Sequence, residues 1–589
     1  MPMRIFMISS TTSFSCKTTR STPSNSPTFP FKCNIVQYCS IPKKKKMSLD
    51  LFALQRAPLI SSNYFNRNSI TGAGDSKSSG KGALELLEPL LSFFSTFLVS
   101  FINPPLHPSV DPKHVLTGNF APVDELPPID CLVMEEELPQ SLNGTYIRNG
   151  PNPLHQPRGP HHLFEGDGML HSIRLSDGRA TFCSRYVKTC KDALEDNVGF
   201  PIFPNILSGF HSVVDLGRCA IAIGRVMKGQ IDLRKGFGLA NTSLSLFSNR
   251  LFALGESDLP YSIHLSEEGD IETIGRCDFD GKAFINMTAH PKIDPETGET
   301  FAFRCSPIPP YITFFSIDKE GSKQQDVPIF SMTDPTFVHD FSITKQYTVF
   351  SESQIEMNPL RLMMCEGMPV SAELDKVPRI GVLPRYASTD SEIRWLEAPG
   401  FNAMHAINAW EEGDEEIILV APNAISIENL FHNIEKVHFS LEKVRINLRN
   451  GSVTRTTLSQ KNLELGSINP SYVGKRNRYA YMGIGEMIPK MSGVVKIDMD
   501  LECEVSRRLY GAGCFGGEPM FVAKDGASDE DEGYIVSYVY DVNSGVSRFE
   551  VMDAKSQTLD VVAALKLPRR VPYGFHGLFV KRGDLDKMC

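Results

Sequence analysis

The sequence predicts an all-β protein built as a propeller, and three observations carry that reading. From about Asn119 onward, short β-rich runs alternate with turn signals such as Ser176-Asp177-Gly178, Glu268-Gly269-Asp270, Asp278-Phe279-Asp280-Gly281, Glu296-Thr297-Gly298, Asn450-Gly451 and Asn543-Ser544-Gly545. This texture continues for about 450 residues, more than a sandwich ordinarily occupies. Long helical patterns are few; helical interruptions are expected only near 202–229 and 358–368. The clearest strand pair is Tyr534 to Tyr540 with Arg548 to Met552. No fixed sequence period is visible, so self-similarity does not set the number of blades.

The preceding segments have a different character. Residues 1–75 hold ten Lys/Arg and two Asp/Glu, a charge of +8, which leaves −17 for the remainder of a chain whose net charge is −9. The stretch from Met1 to Met47 has no acidic residue and is crowded with Ser and Thr. That composition marks 1–70 as a disordered transit peptide, of the plastid rather than the mitochondrial kind because no Arg-rich amphipathic helix is evident. Residues 71–82, rich in Gly and Ser, are expected to be a flexible linker.

Residues 83–103 then place Leu86, Leu87, Leu90, Leu91, Phe94, Phe97, Leu98 and Phe101 at helical spacing, with Pro104-Pro105 as the stop. The uninterrupted apolar run is too short to span a bilayer. It reads as an amphipathic helix lying on a membrane or lipid-droplet surface. The domain proper is expected over 115–589.

Composition excludes several function classes. A net charge of −9 offers no reason to expect a nucleic-acid partner. The thirteen cysteines contain no Cys-x-x-Cys pair, so neither a zinc knuckle nor a thioredoxin-type site is signalled. Among the fourteen histidines there is no His-x-x-x-His or His-x-His pair, which removes the usual helical zinc motifs. Four histidines do sit in apolar, strand-like settings: His290 after Met287-Thr-Ala, His339 after Phe337-Val, His405 after Asn402-Ala-Met, and His576 after Gly574-Phe. A propeller axis can bring such distant positions together.

Several stretches make the reading more specific. Leu142-Asn-Gly-Thr-Tyr-Ile-Arg-Asn-Gly-Pro-Asn-Pro153, Phe164-Glu-Gly-Asp-Gly-Met-Leu-His171, Ala289-His-Pro-Lys-Ile-Asp-Pro295, Asn408-Ala-Trp-Glu-Glu412, Gly517-Glu-Pro519, Glu530-Asp-Glu-Gly-Tyr534 and Arg570-Val-Pro-Tyr-Gly-Phe-His576 occur in that order. Together they resemble the plant carotenoid cleavage dioxygenases over roughly 115–585.

The resemblance implies a seven-bladed β-propeller with a helical and loop dome over one axial Fe(2+) per subunit. It implies His290, His339, His405 and His576 as the metal ligands and catalytic centre, with Glu256, Glu464 and Glu518 behind them as partners of the imidazole N–H groups. It also implies oxidative cleavage of a conjugated C=C bond by O2, giving two carbonyl products. His161, His162 and His171 lie in or beside a family motif without being ligands there, so they are read as structural. Asp167 and Gly168 are read as a tight turn.

Met404, directly before His405, stands where the epoxycarotenoid-cleaving branch of abscisic acid synthesis typically carries an aromatic residue. The segment is most similar to the plastid class-four branch, which points to the 9,10 (9′,10′) bond. An epoxycarotenoid-cleaving role and a non-catalytic lipid-binding propeller are the alternatives. A propeller hydrolase would need an activated water and a poised base, and no such arrangement is visible.

Overall fold

Asp177 and Gly178 show how the sheets are made. Both lie in the left-handed region, at φ 51° and 73°, the geometry of a two-residue hairpin turn whose twist matches its strands. They join Met169–Ser176 to Arg179–Tyr186, paired without a break from Met169↔Tyr186 to Ser176↔Arg179. The computed structural model describes residues 105–588, apart from 136 and 284. The chain divides into two units, 1–76 and 77–589, and all described residues belong to the second.

Four sheets of four antiparallel strands follow in chain order: Ser243–Arg276, Lys292–Ile329, Phe341–Glu397 and Asn408–Ser459. A ten-stranded sheet takes the strands from Leu463 to Lys566 together with Leu132–Glu135. The last sheet closes the two ends of the described chain on one another, because Gly577–Lys581 pairs with Gly144–Arg148. The strand pair read from Tyr534 to Met552 is present, in register Tyr534↔Asp553 to Asp541↔Val546.

The core lies between successive sheets. Phe301, Phe303 and Phe314 of one pack on Phe341 and Phe350 of the next, and Val349 and Ile380 of that sheet pack on Ile417 and Val444 of the one after. Each such side chain contributes about 1.5–3 kcal/mol by burial. Stability is therefore spread over many interfaces, which leaves the axis available for polar groups.

One turn signal means something other than a hairpin. Asp278–Gly281 lies in the long connection from the strand ending at Arg276 to the one starting at Lys292. Phe279 and Asp280, at φ 53° and 60°, turn there while Phe279 is buried in the core. An Asp-Gly signal reports positive φ, and which strands flank it is a tertiary matter.

Both expected helical interruptions contain helices, and among the described residues two helices precede them, the single turn Pro112–Val115 and the longer Cys190–Val198. Helix α1, Cys190–Val198, is capped by Thr189 and ended by Gly199 at φ 75°. Helix α2, Val213–Met227, is capped by Ser212, and helix α3 is the short Leu360–Met363. The two interruptions meet, since Phe210 and Gly367 exchange backbone hydrogen bonds of 3.2 and 3.1 Å. A Cβ at Gly209 would stand 2.2 Å from the Gly367 carbonyl carbon, so only glycine permits this contact. Among the described residues no helix is long and apolar enough to cross a membrane. Residues 1–104, which include the expected transit peptide, linker and surface helix, lie outside the described residues.

Candidate metal centre

The four histidines occupy a recurring position, one to three residues before a sheet-edge strand. His290 precedes Lys292–Ile293, His339 precedes Phe341–Ile343, His405 precedes Asn408–Glu412 and His576 precedes Gly577–Lys581. A strand start held by its ladder fixes the backbone from which each imidazole projects. The ligand atoms of all four lie within 4.8 Å of one another. Nε2 of His339 is 3.1 Å from Nε2 of His290 and 3.2 Å from Nε2 of His405.

Three of the imidazoles are oriented from behind. His339 Nδ1 lies 2.6 Å from Glu256, His405 Nδ1 lies 3.0 and 3.1 Å from the two oxygens of Glu464, and His576 Nδ1 lies 2.9 Å from Glu518. A carboxylate can only accept, so Nδ1 of His405 and of His576 carries the proton and their Nε2 atoms present a lone pair to the centre; His339 and Glu256 stand in close contact but are not aligned for a hydrogen bond. The glutamates are anchored in turn: Glu518 accepts from the Gly577 N–H at 2.9 Å and Glu464 from the Leu465 N–H at 2.5 Å. Glu256 lies 3.4 Å from the Thr242 hydroxyl. All seven residues named from the sequence are therefore brought together.

These contacts test the fit of a metal ion. Lone pairs on Nε2 atoms 3.1 Å apart repel unless a cation stands between them. With metal–nitrogen bonds of about 2.1 Å, two donors at right angles would be about 3 Å apart, as observed here. Glu464 and Glu518 are also buried, 1% and 6% exposed, and among the described residues neither they nor Glu256 forms an ion pair with a lysine or arginine. Buried carboxylates without a counter-charge are costly, and a divalent cation beyond the imidazoles supplies it. For Glu256, burial opposes ionisation, but the adjoining His339 outweighs it and holds the carboxyl below its usual range. Among the described residues no carboxylate stands within hydrogen-bond or ion-pair distance of His290. Burial, followed by its imidazole neighbours, pushes it well below the ordinary histidine value, so it is a neutral donor.

Residues before and after the ligands differ in kind. Phe337, two positions before His339, lies parallel to that imidazole with centroids 6.0 Å apart. It meets Phe431 at 6.1 Å; Phe431 meets Phe164 at 6.3 Å, and Phe164 meets Phe575 at 5.5 Å. Met404 packs into the same apolar cluster. The residues after the ligands line a polar cavity of about 210 Å³ that includes Lys292, Asp340 and Ser467 and reaches His290, His405 and His576. Lys292 and Asp340 form an ion pair of 2.7 Å there.

The sequence analysis missed this aromatic group, although Phe337 carried a usable signal: in extended chain, i and i+2 share a face. Two of the histidines read as structural, His162 and His171, take structural positions. His162 Nε2 donates to the Phe431 carbonyl at 3.1 Å, and His171 is buried on its strand. Asp167 does more than turn the chain, since it pairs with Lys191 at 2.6 Å. Gly168 is required, because a Cβ there would lie 2.3 Å from the Ala240 oxygen.

Comparison with known proteins places this geometry. A family model described as retinal pigment epithelial membrane protein (RPE65) matches residues 120–581. The chain is 55% identical over 517 residues to a probable carotenoid cleavage dioxygenase 4, chloroplastic, of Arabidopsis thaliana, covering 86% of this chain and 87% of the relative. It is 54% identical over 502 residues to a 9-cis-epoxycarotenoid dioxygenase, chloroplastic, of Oryza sativa subsp. japonica, covering 83% and 79%. Among solved structures, the lignostilbene dioxygenase of Pseudomonas brassicacearum superposes with a TM-score of 0.71 over 82% of this chain and 100% of its own, at 22% identity, a likeness of fold.

Proposed function

This chain belongs to the carotenoid cleavage dioxygenase family of oxidoreductases, and we propose that it binds one ferrous ion at its four histidines and cleaves a conjugated double bond of a carotenoid with dioxygen. The observation that carries the proposal is the convergence of four imidazoles on a single point, three of them backed by glutamates of which Glu464 and Glu518 are buried. Neutral nitrogen donors suit a divalent transition metal and leave its charge undiminished. When bound, the iron supplies open coordination positions and the electrons with which dioxygen is engaged.

The protein's own residues do the rest. Glu464 and Glu518 hold the protons on Nδ1 of His405 and His576 and keep their Nε2 atoms aimed at the centre. Phe164, Phe337, Phe431 and Phe575 provide an apolar wall beside it, against which a polyene is positioned and from which water is excluded. Adding both oxygen atoms across the C=C bond gives two carbonyl groups without a net proton transfer. No general acid or base is therefore required of the side chains around the polyene.

The bond proposed is 9,10 (9′,10′). Met404 in the wall, where an aromatic would be larger and stiffer, supports the class-four reading over an epoxycarotenoid-cleaving one. The complete set of ligands and supporting glutamates counts against a lipid-binding propeller without catalysis.

The setting proposed is a plastid, in keeping with the chloroplastic relatives, with attachment at a plastoglobule or thylakoid surface. In this reading 1–70 is the transit peptide, 71–82 the linker, 83–103 the surface helix and 115–589 the catalytic domain. Deleting 83–103 then releases the protein from plastid lipid surfaces, and continued attachment would refute that helix's role. Anaerobic purification, metal analysis, oxygen uptake with a carotenoid and identification of the products test the function as a whole. Protein without iron that consumes no oxygen would overturn it.

A further inference from the structure

A second cavity, of about 100 Å³, lies between the 155–161 loop and helices α1 and α2, and no metal ligand and none of the four wall phenylalanines lines it. Its carboxylates are already engaged. Asp167 and Glu195 share Lys191 at 2.6 and 2.7 Å, and Asp215 pairs with Arg218 at 2.9 Å. The remaining two cations, Arg158 at the exposed rim and Arg225 within, form no ion pair among the described residues. Their guanidinium carbons lie 5.1 and 5.9 Å from the Phe200 ring centroid.

Arg225 is 8% exposed, and its buried Nε has no hydrogen-bond partner among the described residues. His161, 1% exposed, presents a second orphan. The Asn205 amide donates to its Nδ1 at 3.1 Å, so the ring proton is on Nε2, and that buried N–H has no partner either. Burial pushes the imidazole down to about 4, so it is a neutral donor at physiological pH. A buried guanidinium without a counter-ion and a buried N–H without an acceptor are both costly, and both line the same small cavity.

We propose that this cavity is a phosphate-binding site, in which Arg225 and His161 donate to a phosphate group and Arg158 closes over it from the rim. The volume suits a phosphate group and not a carotenoid. Donors from the 155–161 loop and from α2 suit an anion that accepts on several oxygens. The phosphate could belong to a lipid headgroup or to a soluble phosphate, and the two are separable by experiment.

The test uses the full metal-loaded chain under anaerobic conditions. Inorganic phosphate, at ionic strength held constant with chloride, is expected to raise the melting temperature saturably. Arg158→Gln, an exposed substitution that leaves the fold alone, is expected to weaken the midpoint by about tenfold, the loss of one charge-assisted contact. Arg225→Lys is expected to weaken it further, by removing the planar fork, and keeps a positive charge should Arg225→Met fail to fold. Vesicles of neutral galactolipid with and without phosphatidic acid distinguish the sources. Capture that needs phosphatidic acid and is competed by inorganic phosphate assigns the headgroup; phosphate binding that vesicles leave undisturbed assigns a soluble ligand. Absence of saturable phosphate binding to the wild-type chain, or equal binding by wild type, Arg158→Gln and Arg225→Lys, overturns the site.

Discussion

The candidate metal centre adjoins two environments of different kinds. On one side Phe164, Phe337, Phe431 and Phe575 form a continuous aromatic wall, contributed by loops and by the residues just before the ligands. On the other side Lys292, Asp340 and Ser467, mostly just after the ligands, line a polar cavity at the strand starts. The contrast shows how the work is divided. Polar groups close to regular strands are held by ladders and can place a cation. An apolar wall made from loops can be reshaped without disturbing that placement.

The largest effect expected is on the ligand side. Replacing His290, His339, His405 or His576 by Ala should abolish metal retention and activity while the melting temperature stays near that of the metal-free wild type. A His405→Ala protein holding a full complement of iron and turning over normally would falsify the assignment. Next come the supporting carboxylates: Glu464→Gln and Glu518→Gln should lose about 10- to 100-fold in metal affinity or activity, less than the ligand deletions. Titration with a chelator reads this directly, and variants indistinguishable from wild type would mean that the imidazoles are oriented by the backbone alone.

The wall should respond differently. Phe431→Ala removes a buried ring and is expected to cost about 3–5 kcal/mol in stability. It should leave the iron content intact while changing KM or the position of cleavage. A loss of iron in this variant would show that the two sides are not separable.

The smallest effect concerns how the loop carrying Phe164 is tied to residues 207–208. Glu165, in the motif containing Phe164, accepts from the Leu207, Ser208 and His162 N–H groups, at 2.8, 3.2 and 3.1 Å. Burial raises its carboxyl from 4.5 to about 7, against those hydrogen bonds. The folded state then binds this proton more tightly than the unfolded chain does. Its stabilising contribution, on the order of 3 kcal/mol at most, is complete below about pH 4.5 and is lost as pH rises through about 7. Thermal unfolding across that window should show the decline, and Glu165→Gln, which cannot ionise, should flatten it. An equal slope in both proteins would assign the pH dependence elsewhere.

Much of the centre was legible before folding was considered. The turn signals and β-rich runs announced the all-β architecture because they are local: Asp177-Gly178 needs positive φ whatever surrounds it. The four histidines and three glutamates stood in ordered motifs, so the resemblance named them residue by residue. The aromatic wall was not legible as a whole. Its members come from four separate segments, and an isolated Phe in a β protein is ordinarily core. The same holds for the 155–161 loop and α2, where nothing local indicates that Arg225 would be buried without a carboxylate.

By itself, then, the sequence determined the kind of structure, because turn signals and β-rich runs are local, and through its family resemblance it named the candidate ligands and the glutamates behind them. Only the tertiary structure decided the distances: Nε2 atoms 3.1 and 3.2 Å apart, contributed by residues 49 and 66 positions from one another. It also decided which glutamate serves which histidine, and which side of the centre is apolar. Long-range placement depends on how the sheets pack and where the chain ends close, and that arrangement is set by the summed burial of hundreds of side chains and is not encoded at any single position.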